Sequence, residues 1–258
     1  MSCIADNQPE LNGETGTSSR FRYDMQMLPL PDYLDKFRRI QRATEIATNH
    51  VALLVRPGIT ERSIADSLHA NLRGAGLFDV WYPTLVCAGE NTGKPISRRF
   101  HLPSDDVKVA ENDIVVLDTT PITGTVWGNW SVSVALGDDD FFHQLCADGE
   151  QLVIDALAFA ESANATTIGD LVTYCEWRMQ QLGLELLDWR KDFGHTIFQV
   201  PAGSKVDTTS EGERVFISRE CAHAELRGIV SIEPQVGRRH PETGAMYGCK
   251  QQRVLIRN

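Results

Sequence analysis

Three polar residues sit where apolar strand-like runs end. Asp118 closes DIVVLD, His195 follows Gly194 in DFGHTIF, and Glu233 precedes Pro234 in IVSIEP. An acid directly after a run of aliphatic residues must leave the core, find a donor or bind a cation, because burying it unpaired costs on the order of several kcal/mol. A Lewis-acid site is one solution, and a capped turn is the structural one for Asp118 and Glu233. His195, whose ordinary pKa lies near neutrality, suits packing against a backbone partner or service as a ligand or acid–base group.

The elements around these residues are readable from periodicity. Over residues 32–55, Leu34, Phe37, Ile40, Ala43, Ile46, Ala47 and Leu53 recur at three- and four-residue steps, which predicts a helix stopped by Pro57 and Gly58. Thr60 caps a second helix through Leu72, with Ile64, Leu68 and Leu72 on one face. Strands are predicted over 80–89, 113–118, 125–136, 229–233 and 254–256, and helices over 141–163 and 168–182, the last preceded by Thr166 and Thr167 as caps. Helices between and after antiparallel strand pairs give an α+β class, not alternating parallel units.

The rest of the sequence narrows the function classes. Residues 1–29 are polar with few apolar positions and read as a tail or arm, leaving 30–258 as one domain. A formal charge of −10 with dispersed Lys and Arg offers no basic stripe for nucleic acid and disfavours anionic membranes. Six scattered cysteines without a CxxC pair read as reduced thiols, and no run is long enough to span a bilayer. The expected location is the cytoplasm.

GENTGKP at 89–95, DIVVLDTTP followed by Gly128 and Asn129, the Gly194–His195 pair, and IVSIEP before a closing strand together resemble the pita-bread family of creatinase, methionine aminopeptidase, prolidase and aminopeptidase P. The resemblance runs from about Pro31 to the C-terminus and implies a curved antiparallel sheet flanked by helices. In the metallopeptidases of that family, two Asp, one His and two Glu hold two divalent metals that activate a bridging water. Those positions fall on Asp118, Asn129, His195, Glu233 and Gln251, so two of the five are amides. The family's other catalytic histidines fall on Ile96 and Ala202, with His101 near the first as a substitute.

Two charges are thus missing from a site built to balance two dications, and a tight dinuclear centre is not expected. Two cofactor states follow: none, or one divalent metal (Fe, Mn or Zn) on Asp118, His195 and Glu233. The resemblance implies a specialised small-molecule enzyme, a lyase or C–N bond hydrolase acting on an amino-acid-like substrate. His195, Glu233 and Asp118 are its catalytic groups, and Asn129, Gln251, Trp127, Trp130, Tyr82, Arg98 and His101 line the substrate. The alternatives are a peptide- or ligand-binding pseudoenzyme and an aminopeptidase-type metallohydrolase. A homodimer is the expected assembly, on the habits of the larger relatives.

Overall fold

The structure, a computed structural model, describes residues 30–97, 101–205 and 214–257. The expected tail over 1–29, and Arg98, lie outside the described residues.

Helix α1 (Leu30–Ala52) buries Phe37, Ile40, Thr44, Ala47, Thr48 and Val51 along one stripe. Its buried threonines are satisfied within the helix, Thr44 Oγ1 donating to the Ile40 carbonyl and Thr48 Oγ1 to that of Thr44. It ends three residues before the predicted limit. The chain tightens there, with Leu54 and Val55 donating to the carbonyls of Val51 and Ala52. Helix α2 (Glu61–Gly74) starts under the expected Thr60 cap, whose side chain accepts from Ser63 N.

Strand β2 (Asp113–Thr123) is the centre of the first sheet. It pairs antiparallel with β1 (Asp79–Ala88) on one side and β4 (Trp130–Leu136) on the other, while the short β3 (Val126–Trp127) folds back on its end. The single strand predicted over 125–136 is therefore broken at Gly128 and Asn129. Helix α1 presses so closely there that a Cβ on Gly128 would lie 2.8 Å from Thr44 Oγ1.

Helices α3 (Asp140–Glu161) and α4 (Ile168–Gln181) follow, the latter opened by a Thr167–Asp170 capping box. Strand β5 (Glu185–Leu186) joins a second antiparallel sheet with β8 (Gln235–Arg239) and β9 (Met246–Lys250). A third sheet orders β10 (Arg253–Arg257), β7 (Gly228–Ile232) and β6 (Gly194–Ile197), with every pairing again antiparallel. The architecture is α+β.

Two cores carry the fold. One packs α1 and α2 on the first sheet through Phe37, Leu68, Trp81, Leu117 and Trp127. The other packs α3 and α4 on the third sheet through Val153, Leu171, Phe193, Val230 and Leu255. Ile114, Leu145, Val236 and Cys249 form a smaller cluster. Each of these buried side chains contributes roughly 1.5–3 kcal/mol. That burial offsets the cost of holding charged groups in the cleft between the sheets.

Candidate active site

Each polar residue of the cleft is aimed by a local device. Gly194 has φ +132°, and a Cβ there would lie 2.0 Å from the Ser231 carbonyl oxygen, so only glycine lets β6 lie on β7 closely enough to bring His195 beside Glu233. Glu233, just past β7, donates its backbone N–H to the Phe193 carbonyl. Two buried glutamines clamp the backbone of Asn129. Gln41 accepts from its N–H at 3.0 Å and donates to its carbonyl at 2.6 Å, and Gln252 also donates to that carbonyl at 2.6 Å.

The side chains converge on Glu233, which is nearly buried. Asn129 Nδ2 donates to Glu233 Oε1 at 2.6 Å, and His195 Nε2 lies 3.1 Å from the same oxygen. Lys250 places its ammonium 2.9 Å from Glu233 Oε2 and 2.6 Å from Asp118 Oδ2. The buried Asn129 Oδ1 has no hydrogen-bond partner among the described residues.

Electrostatics follow from burial and these neighbours. Burial pushes the Asp118 carboxyl up, and Lys250 works against it. Burial pulls the Lys250 ammonium down, but Asp118 and Glu233 outweigh it, so the group stays firmly protonated. His195 is held well below its ordinary value, by burial first and by Arg214 second, and is neutral at pH 7. Its Nδ1 lies 3.1 Å from the Thr196 carbonyl, so both ring nitrogens face acceptor oxygens and a neutral ring has one proton for two of them. Asp192 is pushed up to about 8 by burial and by Asp188.

One wall of the cleft alternates rings with guanidinium groups. Trp127 stacks on Trp81 at 4.3 Å, and Arg214 lies 4.5 Å above Trp81. Phe216 follows with Arg214 at 5.6 Å and Arg190 at 4.8 Å, and Arg190 sits 4.4 Å over Trp189. The cleft is small, about 140 Å³, room for roughly five waters. Asp118, Asn129, His195, Glu233 and Tyr82 all line it.

Several expected site residues stand elsewhere. Gln251, just past β9, turns away from the cleft to the side of Cys249, its Nε2 3.3 Å from the Ser133 carbonyl, while Lys250 faces in. Trp127 is fully buried behind Trp81 and donates to the Phe198 carbonyl. Trp130 points to α1, donating to Asn49 Oδ1. His101 binds the buried Glu61 at 2.6 Å and is a structural partner. Sequence reasoning missed Lys250, Trp81, Asp188, Asp192, Arg190 and Arg214. Lys250 alone had a usable signal, a strand-end lysine one residue from the assigned position.

The match to known proteins agrees with this geometry. The model of Metallopeptidase family M24 matches residues 35–250. The chain belongs to this family. Its fold is the pita-bread fold, a peptidase-type enzyme scaffold. Among solved structures, dipeptidase PepE from Mycobacterium ulcerans aligns at TM-score 0.66 with 18% identity over 92% of this chain and 58% of that one. The prolidase from Pyrococcus horikoshii OT3 aligns at 0.65 with 16% identity over 86% and 59%. Methionine aminopeptidase from Thermotoga maritima aligns at 0.63 with 16% identity over 90% and 95%. The chain thus spans about three-fifths of the first two and nearly all of the third. A search of curated proteins matched none.

The M24 metal pair does not fit these residues. The Lys250 ammonium takes up the facing oxygens of Asp118 and Glu233, and Asn129 and His195 crowd the remaining oxygen of Glu233. Among the described residues no group of three or more His, Cys, Asp or Glu could hold a metal ion, so the expected one-histidine, two-carboxylate set of Asp118, His195 and Glu233 is not assembled. No helix among the described residues is long and apolar enough to cross a membrane.

Proposed function

We propose that this M24 protein is a metal-independent enzyme that cleaves a C–N bond of a small, amino-acid-like anion. The observation that carries the reading is Lys250. Its ammonium gives Asp118 and Glu233 the positive charge that metals supply elsewhere in the family, and it stays protonated at neutral pH.

The chemistry is acid–base. His195, neutral at rest, takes a proton from the attacking water in the hydrolase form or from the substrate carbon in the lyase form. The imidazolium that forms lies between two acceptors, the Thr196 carbonyl and Glu233 Oε1, which stabilise it. The proton then passes to the leaving nitrogen. Lys250 stabilises negative charge developing on a substrate oxygen, and the partly enclosed cleft strengthens that interaction. Arg190 and Arg214, stacked on rings and so pre-organised, suit the carboxylate of the substrate. The small cleft favours a single amino-acid-sized molecule over a peptide.

The test is turnover of a panel of amino acids, dipeptides, guanidino acids and N-acyl amino acids in excess EDTA. Activity on a guanidino or N-acyl acid that survives chelation and vanishes in His195→Ala supports the reading. Dipeptide hydrolysis restored only by added metal overturns it.

A further inference from the structure

We infer that Lys250 is a built-in cation standing in the place of a metal, and that its side chain is what closes an otherwise usable divalent-cation site. The inference deepens the metal-independent reading and rests on it. Three features of the cleft carry it.

The first is charge. Asp118 and Glu233 bring two negative charges into a largely buried space, and Lys250 is the cation that contacts both. Without Lys250 the pair loses the cation that bridges it, a condition that a dication relieves.

The second is donor chemistry. Asp118 and Glu233 each place an oxygen on the ammonium, His195 Nε2 lies 3.1 Å from the other oxygen of Glu233, and Asn129, which donates to that same oxygen, keeps a buried Oδ1 with no partner among the described residues. Imidazole with oxygen donors suits Mn(II), Co(II) and Zn(II). Bonds to these metals, at about 2.0–2.2 Å, are shorter than the present ammonium contacts, so the carboxylates need close in by less than about 1 Å each.

The third is placement. Along the end of β9 and beyond it, Cys249 faces α3 with its thiol on the Leu145 carbonyl, Gln251 turns to the Ser133 carbonyl, and Lys250 between them faces the cleft. Its backbone N–H is fixed by Ser133 Oγ at 2.8 Å. The ammonium is therefore delivered by strand alternation and does not swing out of a loop.

The experiment is metal binding by the full chain: wild type, Lys250→Ala, and Lys250→Ala combined with His195→Ala. Each is titrated with Mn(II), Co(II) and Zn(II) by calorimetry, with thermal midpoints in parallel. Lys250→Ala is expected to take one equivalent at least about 100-fold more tightly than wild type, with a midpoint rise of about 5 °C or more at saturation. Adding His195→Ala abolishes that binding.

A folded Lys250→Ala protein that ignores all three metals overturns the inference, as does a wild type that binds metal equally well. Where Lys250→Ala fails to fold, refolding with and without Mn(II) decides. Native circular dichroism regained only with the metal supports the inference, and failure in both arms overturns it. A metal-blind Lys250→Ala beside an EDTA-insensitive wild-type enzyme sinks this inference alone. A wild type that needs metal for turnover sinks the proposed function with it.

Discussion

Among the described residues two Glu–His pairs stand out, and they are built to opposite ends. Glu61, fully buried at the start of α2, accepts from the backbone N–H of Ala88 at 2.8 Å, from Ser104 N at 3.3 Å and from His101 at 2.6 Å. His101 also lies 3.2 Å from the Val86 carbonyl. These partners lie on the strand and loop that Glu61 ties down. Glu233, equally hidden, is surrounded by side chains, Asn129, His195 and Lys250, and its cluster opens onto a cleft. A carboxylate held by backbone N–H groups together with one histidine is a staple. One satisfied by movable, titratable side chains can exchange protons and ligands.

Breaking each pair separates the roles. His195→Ala should lower turnover by roughly 10²–10⁴-fold while the denaturation midpoint stays near wild type, measured by steady-state kinetics beside urea unfolding. Glu61→Ala should do the reverse in kind. Loss of its acceptor strands buried N–H groups and costs about 2–4 kcal/mol in urea unfolding.

Replacing the central cation probes the functional pair from its other side. Lys250→Met removes the cation that bridges Asp118 and Glu233, and should cost about 3–5 kcal/mol at pH 7. The sign with pH is fixed. Burial already holds the Asp118 carboxyl above its ordinary value with Lys250 working against it, so removing the ammonium raises it further, and the variant recovers stability as pH falls toward 4 and loses it as pH rises. Urea midpoints across that range check the slope.

The smallest effect belongs to Asp192, at the edge of the functional cluster. Its folded pKa of about 8 lies above the unfolded value, so it supports the fold below pH 4 and loses that contribution as pH rises through 8. Asp192→Asn should therefore flatten the stability profile and gain about 1–2 kcal/mol at pH 9 over wild type, after discounting for partial solvent exposure. An unchanged slope in the thermal midpoint between pH 6 and 9 would show that Asp192 titrates normally.

Much of the scaffold was legible because its signals are local. The Thr60 and Thr167 caps, the apolar stripe of α1 and the DIVVLD strand each depend on neighbours within a few residues. The approach of Asp118, Asn129, His195 and Glu233 was legible only through their order and contexts. The break at Gly128 was not, since α1 imposes it from more than eighty residues away.

The closing strand marks where sequence reading stops. Residue identity at 249–251 says only that a cysteine, a lysine and a glutamine occur in a row, and side-chain alternation makes a slip of one position exchange the inward for the outward residue. By itself the sequence determined the α+β class and the run of elements that leads to the cleft. Pairing of β8 with β9, and the packing of Cys249 under α3, decided that Lys250 faces inward and Gln251 does not. Those are contacts between segments distant in the chain, so only the tertiary structure could set an ammonium between Asp118 and Glu233.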